Sequence, residues 1–234
     1  LHQCLEVHPG NCKALAYLAA AAGETGDLAS VVQHIRDRRP STPLAAIGYS
    51  LGGNFSLRVG LKAGEAGLNI GRIVAICPVI KPVQAMDSME RGLRFYERYF
   101  ERKWTRSLLA KKAAFPELYA KENWHEIKGL RRRTHHLATL HGYSDADEYF
   151  DGYSVGDNRL APLAVPATIL TAADDPICPV SDFHDLPDNP QLELLISRCG
   201  GHCSFLKNWN YDSAAEDLVL ERFEAMAGPA SGRG

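Results

Sequence analysis

One pentapeptide constrains the fold of this 234-residue chain more than any other feature: Gly-Tyr-Ser-Leu-Gly at residues 48–52. A short apolar run at residues 43–47 precedes it, and a helical pattern at residues 51–62 follows it. A serine at such a strand-to-helix turn has a strained backbone, and glycines two residues before and after it leave room for a tight crossing. The pattern therefore predicts a nucleophilic serine, Ser50, at a sharp turn between a buried strand and a helix.

Strand and helix patterns alternate along most of the chain. The predicted strands are residues 43–47, 73–77, 165–170 and 192–196, and the predicted helices are residues 27–38, 51–62 and 214–226. Continuously apolar strands separated by helices are typical of a parallel sheet covered on both faces. Residues 84–159 interrupt the alternation with a charged, aromatic-rich and helical stretch. We predict one α/β domain, residues 1–234, with residues 84–159 inserted as a helical cap over one edge of the sheet.

A nucleophilic serine needs a histidine that takes its proton and a carboxylate that orients the histidine. The expected chain order is serine, acid, histidine. Asp174 and Asp175 both follow the strand at residues 165–170; we choose Asp175, which opens an Asp-Pro-x-x-Pro turn, and keep Asp174 as the alternative. His202 follows the strand at residues 192–196, in a loop whose two glycines let the imidazole reach the sheet edge. Together with the turn serine, Asp175 and His202 form a predicted catalytic triad.

Two further positions bear on the oxyanion. Leu51 begins the helix after Ser50, so its backbone N–H is the candidate oxyanion-hole donor. A His-Gly pair such as His141-Gly142 often marks an oxyanion loop, but that loop precedes the nucleophile and His141 follows it. We therefore assign His141 to the cap. Its expected neighbours at the mouth of the pocket are Tyr143, Asp147 and Tyr149.

Composition and charge exclude several classes of protein. The chain has 26 Lys and Arg against 28 Asp and Glu, a net charge of −2, which removes the basic footprint of a nucleic-acid binder. The sequence contains no run of 18 apolar residues, so we predict no transmembrane segment, while peripheral membrane contact stays open. The basic residues 131–133 are interpreted as a solvated helix face rather than a contact for a membrane or an acidic partner.

The six cysteines form no Cys-x-x-Cys pair, which is typical of reduced thiols in a cytoplasmic protein. Cys199, His202 and Cys203 are close enough in sequence to suggest a metal site. A zinc site would need a fourth ligand and usually a second pair of closely spaced ligands, and neither is evident. We therefore predict no metal and no cofactor, and the sequence leaves the oligomeric state open.

Four stretches together resemble the YheT-like branch of the α/β-hydrolases, a group of esterases and acyl-lipid hydrolases. They are Gly-Glu-Thr-Gly-Asp at 23–27, Gly-Tyr-Ser-Leu-Gly-Gly-Asn at 48–54, Leu-His-Gly-Tyr-Ser-Asp-Ala-Asp-Glu-Tyr at 140–149, and Ala-Asp-Asp-Pro at 173–176 with Gly-Gly-His at 200–202. The resemblance implies an α/β-hydrolase fold and a serine carboxylesterase with the triad Ser50, Asp175 and His202. Such an enzyme would cleave small-molecule esters with short- to medium-chain acyl groups through an acyl-enzyme, without a cofactor.

The resemblance is weakest at the start of the chain. Members of the family have a His-Gly-rich loop well upstream of the nucleophile, which donates the second N–H to the oxyanion. No such loop is evident before Ser50, and residues 1–22 do not resemble the family. We therefore expect a sheet without its first strands and an oxyanion hole with one donor, a loss of about 10²–10³ in rate. The alternative is a catalytically impaired hydrolase that acts as a binding or interaction module.

Overall fold

The computed structural model describes residues 25–227 apart from residues 39, 42, 65 and 93, and only the backbone of residues 25–31. The strands are β1 (Leu44–Tyr49), β2 (Ile70–Ile76), β3 (Ala167–Ala172) and β4 (Leu192–Ser197). The helices are α1 (Thr25–Arg38), α2 (Leu51–Ala63), α3 (Pro82–Arg91), α4 (Arg94–Ala114), α5 (Pro116–Tyr119), α6 (Leu130–Leu140), α7 (Ala146–Asp151) and α8 (Ala214–Ala227). The expectation for residues 1–22 lies outside the described residues.

The four strands form a parallel sheet in the order β1-β2-β3-β4, which confirms the predicted fold class. Strand β3 is buried along its whole length, and β2 is buried apart from Gly71 and Arg72. The expected continuous burial is wrong for β1 and β4, which are partly exposed. Among the described residues, each of these strands has a paired neighbour on one side only, which makes it an edge strand. Their apolar sequences did not distinguish edge strands from central strands.

Alternate residues of the strands pack against helices on opposite faces of the sheet. Ile73 and Ile169 belong to one buried cluster, which includes Leu57 of α2. Val74 and Leu170 belong to another, which includes residues of α8. This two-sided covering is what a parallel sheet with continuously apolar central strands requires. It also aligns the carboxyl ends of the strands along one edge of the sheet.

Helices α3 to α7 occupy the stretch between β2 and β3, where the sequence predicted a helical insertion. They have small apolar clusters of their own, one around Phe150 and Met86 and another around Trp124 and Leu137. The assignment of residues 84–159 as a separate cap stays a prediction. No helix in the part of the chain that the structure describes is long and apolar enough to cross a membrane.

The interpretation of residues 131–133 as a solvated helix face is wrong for two of the three arginines. Arg131 forms ion pairs with three acidic residues of α3 and α7, one of them Asp147 at 2.7 Å. Arg133 is buried and pairs with Glu101 of α4 at 3.2 Å. Only Arg132 is exposed. The pattern of charges along α6 alone could not predict that acidic residues of α3, α4 and α7 pair with these arginines.

A buried acid, Asp182, lies in the 3₁₀ turn Val180–Phe183. Burial raises the pKa of its carboxyl from 3.8 to about 6; the Lys81 ammonium lowers that pKa, and the charges of Asp157 and Asp185 raise it. Lys81 is itself paired with Asp157 at 2.7 Å and with Asp185 at 3.4 Å. At neutral pH the Asp182 carboxylate is therefore ionised although it is buried, and this lowers the stability of the fold.

We expect Asp182→Asn to stabilise the fold at neutral pH. Because the folded-state pKa lies above the ordinary one, the cost of the ionised carboxylate is small below about pH 4 and complete above about pH 6. The variant should gain about 1–2 kcal/mol in free energy of unfolding near pH 7.5 and almost nothing near pH 4. Urea denaturation at both pH values measures this.

Asp185→Asn is the matched control, because it removes one negative charge from the same group at an exposed position. We expect it to change the unfolding free energy by less than about 0.5 kcal/mol. A gain for Asp182→Asn that is independent of pH, or an equal gain for Asp185→Asn, would contradict the assignment of the cost to the buried carboxylate.

Candidate active site

Ser50 lies between β1 and α2 with φ at 53°, in the left-handed region that non-glycine residues rarely adopt. Its N–H donates to the carbonyl of Ile76 at 2.8 Å. Its carbonyl accepts from the N–H groups of Gly53, Asn54 and Val79 at 3.0, 3.2 and 3.3 Å. Four backbone hydrogen bonds, two of them to β2 and the loop after it, therefore hold a conformation that the chain would not adopt alone.

Close approach of strand and helix explains part of the glycine pattern. A Cβ at Gly48 would lie 2.1 Å from the carbonyl oxygen of Gly52, and one at Gly53 would lie 2.9 Å from Cβ of Pro78. A Cβ at Gly52 would meet no atom of the described residues within 4 Å. The steric reason given for the pentapeptide is therefore right for its first glycine. The second close approach is at Gly53, one residue beyond the pentapeptide.

Asn54 ties the start of α2 to two other segments. Its side chain is buried, and its Nδ2 donates to the carbonyls of Val79 and Tyr153 at 2.8 Å each. The first carbonyl belongs to the loop after β2 and the second to the segment after α7. The guanidinium of Arg58 lies over the ring of Tyr153, 5.6 Å from its centroid. The helix that follows Ser50 is thus fixed to the end of the helical insertion.

Ser50, His202 and Asp175 are joined by a continuous chain of hydrogen-bond contacts. The Ser50 Oγ lies 2.8 Å from Nε2 of His202, and Nδ1 of that ring lies 2.9 Å from Oδ2 of Asp175. The carboxylate is fully buried, and its Oδ1 also accepts from the N–H groups of Ile177 and Cys178. Since a carboxylate can only accept, Nδ1 of His202 donates to it, which leaves Nε2 able to accept from the Ser50 hydroxyl.

Opposing influences set the pKa of His202. Burial lowers this pKa, whereas the hydrogen bond to Asp175 and contacts with Cys178 and Cys203 raise it, and the net shift is upward from 6.5. The pairing with Asp175 favours the protonated ring. An imidazolium formed by proton transfer from Ser50 would be stabilised in the same way.

The neighbouring acid, Asp174, contacts the loop that carries the histidine. Its Oδ1 accepts from the N–H groups of Gly200 and Gly201 at 2.9 and 2.8 Å. Gly201 has φ at +52°, and a Cβ at Gly200 would lie 2.5 Å from the Phe205 ring. The two adjacent acids therefore differ in their contacts: Asp175 meets the imidazole, and Asp174 holds the backbone just before it.

Three cysteines surround His202, and only one of them was considered from the sequence. Cys77, Cys178 and Cys203 lie close to the ring, whereas Cys199 is exposed and outside this group. The hydrogen bond with Cys77 lowers the pKa of the Cys203 thiol to about 6, burial raises it and His202 lowers it further. The same hydrogen bond, with burial, raises the pKa of Cys77.

A signal for these cysteines was present in the predicted strands. Cys77 directly follows β2, Cys178 lies in the turn after β3, and Cys203 lies in the loop after β4. Carboxyl ends of parallel strands meet at the same edge of a sheet. Reading position relative to strand ends, rather than spacing along the chain, would have brought these residues together.

The remaining predicted positions are distributed as follows. Leu51 is the first residue of α2, and its N–H has no acceptor among the residues that the structure describes, so it is free to meet a developing charge. His141 follows α6, where its Nε2 lies 2.8 Å from the Tyr119 hydroxyl. Tyr143 and Tyr149 stack edge to face at 5.3 Å. The contacts of His141 and of the two tyrosines are thus with other residues of the stretch between β2 and β3, and their place at the mouth of a pocket stays a prediction.

Two clefts in the described part of the chain are lined by residues other than Ser50. The larger, of about 470 Å³, lies on α6 and α7 and is lined by residues such as Arg132, His135 and Asp147. On either side of Ser50 in the chain, the apolar side chains of Tyr49 and Leu51 are each 41% exposed. The predicted apolar acyl pocket stays a prediction.

Comparison with known proteins gives the family. The Hydrolase_4 family model, described as serine aminopeptidase, S33, matches residues 14–191. The chain belongs to this family of α/β-hydrolases. It is 30% identical over 193 residues to YheT of Escherichia coli (strain K12), a candidate esterase by its name, covering 79% of this chain. The resemblance to the YheT-like branch is therefore confirmed.

Two further similarities are informative. The chain is 25% identical over 215 residues to the human phospholipase ABHD3, covering 85% of this chain. It shares the fold of an α/β hydrolase from Bacillus anthracis, with a TM-score of 0.50 and 16% identity over 86% of this chain and 72% of that one. The match covers 55% of YheT and 50% of ABHD3, so the chain spans about half the length of these curated relatives.

The two glycines of the pentapeptide provide a matched test of the turn. We expect Gly48→Ala to lower the free energy of unfolding by about 3 kcal/mol or more, because its methyl group would overlap a helix backbone that cannot yield without moving Ser50. Gly52→Ala should change it by less than about 1 kcal/mol, since alanine suits a helix and meets open space. Chemical denaturation measures both, and equal losses in the two variants would contradict the crossing geometry.

Proposed function

We propose that the chain carries the catalytic machinery of a serine hydrolase that cleaves carboxylic esters, with Ser50 as nucleophile, His202 as general base and Asp175 as the residue that orients the ring. The observation that supports this most strongly is the unbroken contact from Ser50 Oγ through His202 to the buried Asp175 carboxylate, at 2.8 and 2.9 Å. These distances are within the range in which a base can take a proton from a nucleophile.

The chemistry follows from these contacts. Nε2 of His202 takes the hydroxyl proton as Ser50 Oγ attacks the ester carbonyl carbon, and Asp175 stabilises the imidazolium. The N–H of Leu51 donates to the oxyanion of the tetrahedral intermediate. His202 then gives its proton to the departing alkoxide, which leaves an acyl group on Ser50. A water molecule, deprotonated by His202, releases the acid and restores the serine.

The ester class of substrate is favoured by two observations. YheT is a candidate esterase by its name and ABHD3 is named a phospholipase. The surface beside Ser50 also presents apolar side chains, Tyr49 and Leu51, against which an acyl chain could pack. We therefore propose esters with short- to medium-chain acyl groups. The sequence leaves peripheral membrane contact open, and a cytoplasmic location stays a prediction from the sequence.

Hydrolysis of p-nitrophenyl esters that differ in acyl length tests the proposal. We expect turnover by the chain, loss of at least about 10³-fold in kcat/KM for Ser50→Ala, and a loss of similar order for Asp175→Asn, which would leave the ring in the wrong tautomer. Ser181→Ala changes an exposed serine on a surface turn and should retain full activity.

The result also separates the two readings of the sequence. Ester hydrolysis that persists in Ser50→Ala would contradict the assignment of Ser50 as the nucleophile. A chain that is folded by circular dichroism and yet turns over no ester would favour the alternative, a hydrolase fold used as a binding or interaction module.

A further inference from the structure

Two cysteines and the proposed catalytic histidine form a group of metal-ligand atoms. Cys77, His202 and Cys203 each offer one ligand atom, and the three atoms lie within 4.8 Å of one another. Zinc binds thiolate sulfur at about 2.3 Å and imidazole nitrogen at about 2.0–2.1 Å in tetrahedral geometry. Ligand atoms on one such ion are therefore roughly 3.5–3.8 Å apart, so the group needs to contract by about an ångström or less.

We infer that Cys77, Cys203 and His202 form an inhibitory site for a thiophilic divalent cation, with Zn²⁺ as the ion that fits the ligands best. Two thiolates with one imidazole are a ligand set that soft and borderline cations prefer over Mg²⁺ or Ca²⁺. The inference that the ion inhibits rests on the proposed function, whereas the inference that it binds does not. It also revises the expectation from the sequence, which considered Cys199 in place of Cys77, found no fourth ligand and predicted no metal. With three protein ligands, the fourth tetrahedral position on the ion would be filled by water.

The positions of the two thiols support this assignment. Cys77, directly after β2, has φ at 43° and directs its Sγ to the carbonyl of Gly201, at 3.7 Å, in the histidine loop. Cys203 has φ at 72° and directs its Sγ to the carbonyl of Ile76 at 3.7 Å. Each thiol thus reaches across to the segment that carries the other. When an ion replaces the thiol protons, the hydrogen bonds that these two thiols donate to backbone carbonyls are lost. Such sulfur hydrogen bonds are weak, so their loss costs little.

A second group is nearby but is the poorer site. Asp175, Cys178 and His202 also bring ligand atoms within 4.8 Å of one another. That group has one thiol, and Asp175 already accepts from two backbone N–H groups as well as from the ring. Each group contains one fully buried thiol, Cys77 or Cys178, and both groups share His202, but only the group with Cys77 adds a second thiol, the partly exposed Cys203. The pair of thiols therefore favours the group with Cys77.

Occupancy of the site would remove the base from the proposed reaction. Both ring nitrogens of His202 are engaged, Nδ1 with Asp175 and Nε2 with Ser50. A coordinated ring must give up one of these contacts, since each nitrogen has a single lone pair or proton in the ring plane. The two thiols release their protons to solvent when the ion binds. When a chelator removes the ion, the thiolates take up protons again and the lost contact of the ring re-forms.

Binding is measured first, without reference to activity. The metal-free chain is kept reduced and titrated with Zn²⁺ in competition with a chromophoric chelator, and Cd²⁺ is added separately to follow the thiolate-to-cadmium absorption. We expect one Zn²⁺ per chain and a cadmium–thiolate band. Cys77→Ser and Cys203→Ser should each weaken binding by at least about 10–100-fold. Cys199→Ser, which changes an exposed thiol outside the group, should bind like the parent.

Other results of the titration would overturn the site. Equal affinity in the parent, Cys77→Ser and Cys203→Ser would do so, as would loss of binding in Cys178→Ser alone. Circular dichroism shows which variants are folded. Because Cys77 is fully buried, Cys203→Ser, at a half-buried position, decides the question if Cys77→Ser does not fold.

Ester hydrolysis then tests inhibition. In the parent chain Zn²⁺ should abolish turnover at one equivalent, and EDTA should restore it, while Cys203→Ser should need at least about 10-fold more Zn²⁺ for the same inhibition. Binding without inhibition would overturn the inhibitory role. A chain that binds Zn²⁺ through these cysteines and hydrolyses no ester would instead count against the proposed function and leave the metal site intact.

Discussion

The backbone of Ser50 is the constraint on which the rest of the site depends. Its φ of 53° is unfavourable for a serine, and the chain adopts it because Ile76 of β2 and Val79 after it bond both sides of the residue. The crossing is possible only where Gly48 lets the helix backbone approach the strand. A local motif of five residues therefore requires a neighbouring strand and its loop before it can present a hydroxyl group.

The parallel sheet supplies the rest of the site from loops that are far apart in sequence. The acid follows β3 and the histidine follows β4, and both loops end at the same edge as Ser50. The two adjacent acids at this edge have different partners. Asp174 accepts hydrogen bonds from the backbone of the histidine loop, and Asp175 contacts the His202 ring. The cysteines after β2 and β4 reach the same place for the same topological reason.

The sequence predicted the elements of the sheet well, since apolar runs bounded by turn residues mark buried strands. It placed the starts of β2 and β3 less well. Gly71 and Arg72 interrupt the apolar pattern although both belong to β2, where the pairing with β1 is irregular, and the predicted third strand began before Pro166, outside β3. The edge positions of β1 and β4 depend on which strands are neighbours, a property of the whole sheet that no single segment contains.

The candidate catalytic residues could be predicted because they occur in the expected order along the chain: serine, acid, histidine. Ser50, Asp175 and His202 each lie in the turn or loop that follows a strand, so their meeting could be expected. The pairing of Arg131 and Arg133 with acids of other helices, and the approach of Cys77 to Cys203, arise from contacts between distant segments. Spacing along the chain carries no information about such contacts, and the sequence-based interpretations failed there.

Labelling with a fluorophosphonate, followed by mapping of the modified residue by mass spectrometry, tests the central claim most directly. This reagent reacts with serine hydroxyl groups that a neighbouring base activates, and it requires no knowledge of the substrate. The account predicts one adduct per chain, located on Ser50, and greatly slower labelling when His202 is replaced by Gln. A folded chain that gives no adduct, or an adduct at another serine, would contradict it.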